Sequence, residues 1–364
     1  MKIDQPIRAG ILGATGAVGQ KFVELLDGHP WFEVAALAAS ERSAGRPYRE
    51  AAQWIGTSAI PDALADAEVR PATPDALAGA CDFVFSGLDS SVAGEIEADF
   101  ARAGLPVISN AKNYRLNDDV PLLIPEVNPD HRALIDRQDW GAEGGFIVTN
   151  PNCSTVGLVC ALHPLAQAFG VEQVQVTTLQ ALSGAGYPGV ASLDALGNVV
   201  PYIGGEEEKM TSEPRKLLGT LNDGHVRPAE ITLSAQCNRV PVLDGHIECV
   251  SVNLAEDASA GDVRSAFRAF ESPVADLPTA PDPLLHVFEE DAFPQPRRHV
   301  ERGGGMTVSI GRVRPCEVSD VKFVALSHNT VRGAAGGAIL NAELLAREDY
   351  LAPRSAQTTE PAAA

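Results

Sequence analysis

No uninterrupted apolar run in this 364-residue chain approaches the roughly 18–20 residues that a membrane helix needs. The first residues, Met1-Lys2-Ile3-Asp4-Gln5-Pro6, lack the apolar core of a signal peptide and lead straight into a strand-like run. A soluble, cytoplasmic protein with no membrane partner is therefore expected. Positive charge is scarce. Six lysines and 22 arginines stand against 48 acidic residues, and the formal net charge is -20. Such a surface repels phosphate backbones, which excludes nucleic acid as a partner. It also tolerates concentrated salt, where screening relieves its self-repulsion, so it reads as a halophile-like acidic surface. The six cysteines (Cys81, Cys153, Cys160, Cys237, Cys249, Cys316) lack the spacing of metal ligands, and no metal site is expected. Internal repeats are absent too.

What is present fits two domains, with 45% hydrophobic residues to fill their cores. Ile7–Leu12 reads as a buried strand and Gly13-Ala14-Thr15-Gly16-Ala17-Val18-Gly19 as a tight turn. A helix from about Gln20 to Leu26 and a second strand from Phe32 to Ala38 complete a βαβ unit. Strand-like runs at Phe83–Phe85 and Pro106–Ser109, with a helix near Val92–Ala103 between them, continue the alternation. A Rossmann-type, doubly wound parallel sheet over residues 1–150 follows. Beyond it, β-rich runs at Gln173–Leu182, Ile231–Val242, Ile247–Leu254, Met306–Val313 and Val321–Leu326 suggest an α+β domain over 151–328 with a large mixed sheet. Residues 329–350, helical from Gly336 to Arg347, are expected to return to the first domain. The Pro/Ala-rich tail 353–364 reads as disordered.

Two motifs carry chemistry. In the first, Gly13, Gly16 and Gly19 sit where a strand turns into a helix, so that amides at the helix start can hold a pyrophosphate. The second strand is followed not by the acidic residue that would hold an NAD ribose but by Ala39-Ser40-Glu41-Arg42-Ser43. Hydroxyls and an arginine suit a 2′-phosphate and favour NADP, while Glu41 in the same run either points away or weakens that preference. In the second motif, Thr149-Asn150-Pro151-Asn152-Cys153-Ser154-Thr155 sets a cysteine on a turn before an apolar helix. The positive end of that helix favours the thiolate, the form that attacks carbonyls.

A nucleophilic cysteine needs an acid/base partner and a substrate anchor. The run Arg239-Val240-Pro241-Val242-Leu243-Asp244-Gly245-His246 offers both, with Arg239 and His246 expected on adjacent strands beside one cleft. Gln180 ends a strand before the loop Ser183-Gly184-Ala185-Gly186. Read alone, a histidine on a strand edge is as often a surface residue, and Glu206-Glu207-Glu208-Lys209 reads as a solvated charge run opening a helix.

In this order the pieces resemble the aspartate-semialdehyde dehydrogenases, in the branch typical of archaea and fungi. The matching stretches are Gly13–Gly19, Asn110–Asn128, Asn150–Thr155, Gln180–Gly189, Glu206–Lys209, Arg239–His246 and Asn329, nearly the whole chain except its tail. The resemblance implies NADPH-dependent reduction of L-4-aspartyl phosphate to L-aspartate 4-semialdehyde and phosphate, on the route to lysine, threonine and methionine. It makes Cys153 the thioacyl-forming nucleophile, His246 the acid/base and Gln180 the residue that positions the acyl centre. Arg239 becomes the clamp for the substrate carboxylate, Glu206 the partner of its ammonium group, and Lys209 and Arg115 the phosphate-binding cations. Which of the three glutamates meets the substrate stays open at this point. Cofactor contacts are expected from Gly13, Thr15, Gly16, Ala17, Val18, Ser40, Arg42, Ser43 and Ser86, with Ser183, Gly184, Gly186 and Asn329 around the nicotinamide. A homodimer or homotetramer is implied, with the Tyr187–Lys216 excursion as a subunit contact. The rival readings are a malonyl-CoA reductase of the same branch and an NADP-binding regulator without catalysis. Glyceraldehyde-3-phosphate and N-acetylglutamyl-phosphate chemistry match the cysteine motif less well.

Overall fold

The computed structural model describes Gln5–Pro353; the tail segment expected to be disordered lies outside the described residues but for Pro353. The chain forms two compact units. The first runs through Ala111 and takes up Asp139–Ile147 and the residues from Leu345 onward. The second comprises Lys112–Gln138 and Val148–Leu344. This partition differs from a cut near residue 150, because the segment 112–138 leaves the first unit. Most of the stretch from Asn329 stays in the second unit as well. Arg332 makes a bidentate ion pair with Glu126 at 2.6 and 2.9 Å, both side chains being buried, and Glu343 accepts hydrogen bonds from the backbone and hydroxyl of Thr279. A buried charge pair broken in this way would leave an uncompensated charge, so these contacts fix where the segment belongs.

In the first unit, the strands β1 (Ile7–Leu12), β2 (Phe32–Ala39), β3 (Val69–Pro71), β4 (Phe83–Ser86), β5 (Val107–Ser109) and β6 (Ile147–Thr149) form a sheet in the order β3-β2-β1-β4-β5-β6. The unit boundary falls inside β6. The pairs β1–β2, β1–β4, β2–β3 and β4–β5 are all parallel. Parallel strands covered on both faces need apolar residues at every position, which is why β4 and nearly all of β1 are buried throughout. Phe22 stacks on Phe85 with ring centroids 4.6 Å apart, and Phe32 and Phe83 close the cluster edge-on. Phe22 comes from the helix Ala17–Leu25, which starts three residues earlier than its apolar pattern suggested. Gly19 explains the early start. A Cβ there would stand 2.2 Å from the Gly13 carbonyl oxygen, so only glycine lets the helix begin this close to the strand it leaves.

The second unit carries β7 (Val171–Gln180), the hairpin β8 (Thr220–Asn222) and β9 (His225–Arg227), β10 (Thr232–Arg239), β11 (His246–Leu254), β12 (Leu285–Val287), β13 (Val308–Pro315) and β14 (Val321–Ser327). Its large sheet has the order β10-β7-β11-β14-β13-β12 and is mixed: β7–β10 and β12–β13 are parallel, and the other pairs are antiparallel. Burial alternates along β11, so one face of the sheet is apolar. The helix Cys153–Phe169 covers that face with Leu158, Leu162 and Leu165 against Val174, Val176, Val250 and Val252. The helix Ala260–Ala269 adds Phe267, edge-on to Phe323 at 5.3 Å.

Candidate active site

Cys153 is the first residue of its helix. Asn152 caps that helix, its Oδ1 accepting from the amides of Ser154 and Thr155 at 3.0 and 3.3 Å. The mixed sheet delivers the partners. Parallel pairing sets Gln180 at the end of β7 beside Arg239 at the end of β10, and the antiparallel strand β11 begins at the same sheet edge with His246. Arg239 and His246 are therefore not on adjacent strands, as the sequence suggested; β7 lies between them. They meet through the main chain of Ala181, whose carbonyl accepts from Arg239 Nη1 at 2.8 Å and whose amide donates to His246 Nδ1 at 3.1 Å.

The Cys153 Sγ lies 3.3 Å from His246 Nε2. A backbone amide can only donate, so Nδ1 is the accepting nitrogen and the neutral ring carries its proton on Nε2, facing the sulfur. Burial pushes the Cys153 thiol up to about 12, Glu206 pushes the same way, and Arg115, Arg239 and Lys209 oppose it without prevailing. Burial, then Arg239, then His328 hold His246 down to about 3. The resting pair is thus a neutral thiol and a neutral imidazole, not the thiolate expected from the helix dipole. Cys153 is half-buried, and the water its sulfur loses, with Glu206 beside it, outweighs the helix end and the three cations.

Of the three glutamates, Glu206 is the one placed beside Asn152 and Gln180. It is buried, its carboxylate accepts from Asn152 Nδ2 at 3.0 and 3.1 Å, from Gln180 Nε2 at 3.2 Å and from Lys209 Nζ at 2.6 Å. Burial alone would raise this carboxyl, but Lys209 and the hydrogen bonds from Asn152 and Gln180 outweigh it and hold it ionised. Glu207 instead accepts from the Cys237 amide, and Glu208 is exposed. Gln180 also donates to Thr178 Oγ1 at 3.3 Å. Arg115 is buried and pairs with Glu213 at 2.8 Å. So Cys153, His246, Gln180, Arg239, Glu206, Lys209 and Arg115 all lie in the second unit, in two hydrogen-bonded groups: Cys153, His246 and Arg239 through Ala181, and Gln180, Lys209 and Arg115 through Glu206, Asn152 and Glu213.

Gly184 packs against this set. A Cβ there would stand 2.9 Å from Arg239 Nη1 and 3.1 Å from His246 Cε1, so any larger residue displaces the pair. Asn329 accepts from the Gly245 amide and donates to Ser183 Oγ, both at 2.8 Å, which ties the turn before His246 to the Ser183–Gly186 loop. Residues that the motifs did not single out are Asn152, Glu213, Lys216 and the main chain of Ala181. The first three had a legible signal. Glu206, Lys209, Glu213 and Lys216 recur at helical spacing along one face of Glu206–Leu217, and Asn152 stands at a cap position.

In the first unit, the residues expected at a nucleotide are arranged to receive one. The helix Ala17–Leu25 starts at Gly16 with no side-chain cap and no acidic residue in its first turn, which leaves its positive end for a phosphate. Gly13 has φ +75°, Thr15 to Val18 are accessible, Ser40 and Arg42 are exposed and Ser43 is half-buried after β2. The Ser86 hydroxyl at the end of β4 is buried without a hydrogen-bond partner.

A Rossmann-type unit with an uncapped glycine turn, and a second unit holding a cysteine–histidine pair among charged side chains, define the class: a nucleotide-dependent oxidoreductase. Residues 8–135 match the family model of the semialdehyde dehydrogenase NAD binding domain, and 162–332 that of the semialdehyde dehydrogenase dimerisation domain. Aspartate-semialdehyde dehydrogenase of Archaeoglobus fulgidus is 49% identical over 94% of this chain and 98% of its own length. That of Candida albicans is 46% identical over 94% and 99%. The crystal structure of the Candida albicans enzyme with NADP has a TM-score of 0.88 at 46% identity, over 94% of this chain and 99% of that one. The chain belongs to the aspartate-semialdehyde dehydrogenase family.

Proposed function

We propose that this protein reduces L-4-aspartyl phosphate to L-aspartate 4-semialdehyde and phosphate through a thioacyl intermediate on Cys153, with NADPH. The observation that supports it most is the 3.3 Å approach of Sγ to Nε2 at a capped helix start, beside a buried arginine and a buried glutamate. Arg239 would grip the substrate carboxylate and Glu206 its ammonium, while Arg115 and Lys209 would meet the phosphate. These local cations must overcome a global charge of -20, and screening beyond about 8–10 Å helps them. Glu206 also separates this substrate from malonyl-CoA, which brings no ammonium group; neither that reading nor a non-catalytic regulator is favoured.

In the first half-reaction, sulfur bonds to the acyl carbon as the carbon–oxygen bond to phosphate breaks. The thiol proton balances the departing group as hydrogen phosphate. Because the Ser154 and Thr155 amides are held by Asn152, the acyl oxygen would find its helix-start donor at the Cys153 amide. When bound, the nicotinamide supplies hydride to the thioester carbon. His246, with its Nε2 proton directed at sulfur, then stabilises the thiolate expelled as the aldehyde forms. We assign NADP binding to Gly13, Thr15, Gly16, Ala17, Val18, Ser40, Arg42, Ser43 and Ser86, with Ser183, Gly184, Gly186 and Asn329 on the nicotinamide side.

Homo-oligomerisation goes with the dimerisation-domain match. We infer a homodimer in which a second copy covers the exposed apolar side chains Leu193, Leu196, Val199 and Tyr202. Among the described residues no helix is long and apolar enough to cross a membrane, and six free thiols suit the reducing cytoplasm, where we place the protein. The test of the reaction is a coupled assay with semialdehyde, phosphate and either nucleotide, followed by nicotinamide absorbance. Cys153→Ala is expected to abolish turnover while still binding NADP. Full activity in that variant would end the covalent scheme.

A further inference from the structure

Glu213 lies on the helix Glu206–Leu217 and is 2% exposed. One of its oxygens, Oε1, accepts from Arg115 Nη1 at 2.8 Å; the other, Oε2, accepts from the backbone amide of Asn152 at 2.7 Å. One carboxylate therefore joins the cation assigned to phosphate with the residue next to the nucleophile. A turn further along, Lys216 Nζ donates to the carbonyls of Arg115, Asn117 and Val120 at 3.0, 2.6 and 2.7 Å. The helix thus holds the segment bearing Arg115 at two points and the cysteine turn at a third.

We propose that Glu213 is a positioning residue for the phosphate step, fixing the Arg115 guanidinium relative to Cys153 Sγ. The inference rests on the reading of Arg115 as a phosphate-binding cation. The chemistry of the bridge requires a carboxylate. Both groups that Glu213 meets are donors, and only a carboxylate offers an acceptor to each at once. A glutamine in the same place presents one oxygen and one NH2, so it can satisfy Arg115 or Asn152 but must turn a donor toward the other. An aspartate keeps the charge and is one methylene short of spanning both.

The experiment uses the full-length enzyme in the semialdehyde-oxidising direction, where phosphate is a substrate with its own KM. Glu213→Gln is expected to raise the KM for phosphate roughly tenfold or more, the fold-change of a charge-assisted hydrogen bond, with the KM values for semialdehyde and NADP nearly unchanged. Glu213→Asp should show the same defect in weaker form, and it keeps the test open if the glutamine variant folds poorly. In an Arg115→Ala background, Glu213→Gln should add little to the phosphate KM, because its route to phosphate is already gone. A lowered melting temperature with phosphate KM within twofold of the parent would overturn the proposal by making Glu213 a fold residue only. Additive effects of the two substitutions would overturn it as well. If Arg115→Ala itself leaves the phosphate KM unchanged, the assignment of Arg115 fails, and that result is separable from either outcome at Glu213.

Discussion

The sulfur of Cys153 sits where two familiar effects pull in opposite directions. The helix start and three cations favour its ionised form, and burial with Glu206 nearby favours the thiol. With the thiol pushed up to about 12 and ionising only on approach to that value, alkylation by iodoacetamide without substrate should rise about tenfold per pH unit from 7 to 10, showing no plateau near neutrality. A rate that levels off near pH 7 would mean a resting thiolate–imidazolium pair. The cysteine itself was readable from its turn and the helix behind it. Its protonation state was not, because a motif records which side chains come together in sequence and says nothing of how much water they lose. The same limit applies to Glu206. Four charges in a row read as solvated surface, and only the fold reveals that the first of them is buried on Asn152 and Gln180 while the third faces solvent.

Among the elements, the turn from β1 into its helix was the most legible, since glycine at 13, 16 and 19 leaves few alternatives. Gly19→Ala places a methyl group 2.2 Å from the Gly13 oxygen and 2.7 Å from the Ala14 Cα. Backbone must move to admit it, so the substitution should cost about 1–3 kcal/mol or more of stability and weaken NADP binding. Thermal denaturation and nucleotide titration would check it; an unperturbed variant would mean that the helix can slide along its axis. The large sheet was legible as β-rich runs, but its order was not. Arg239 and His246 follow one another across a short turn in sequence, and nearness in sequence suggested neighbouring strands. Instead the pairing of β7 with both β10 and β11 separates them, because a hydrogen-bond ladder is decided by side-chain patterns on three strands at once.

For the molecule as a whole, charge and assembly remain the readable quantities. The formal charge of -20 predicts a melting temperature that rises between 0.1 and 1 M potassium chloride, as the screening length falls from about 10 to about 3 Å. A flat or falling curve would show that this charge carries no adaptation to salt. The excursion after Gly186 presents Leu193 at 88% exposure and Leu196 at 74%, more than an isolated subunit in water should show. Leu193→Glu with Leu196→Glu is expected to shift the protein to monomer on size-exclusion chromatography with light scattering. An unchanged mass would direct attention to another face. The compact units divide the chain otherwise than a cut near residue 150, with 112–138 and most of the stretch from Asn329 in the second unit. The reasons, the Arg332–Glu126 pair and the bonds to Glu343, connect residues far apart in the chain, where no local pattern reports them.

The methyl group of Ala181 has no part in the bonds that its main chain makes. Its N–H orients the imidazole and its C=O holds the guanidinium, so the wiring between acid/base and anchor runs through atoms that every residue type except proline possesses. Ala181 is fully buried, so only a residue as small as glycine could replace it and leave the wiring intact, and a comparison of side chains would pass over it. Proline at 181, or an ester in place of the amide, is what would cut it, freeing Nδ1 and letting the ring choose its other tautomer.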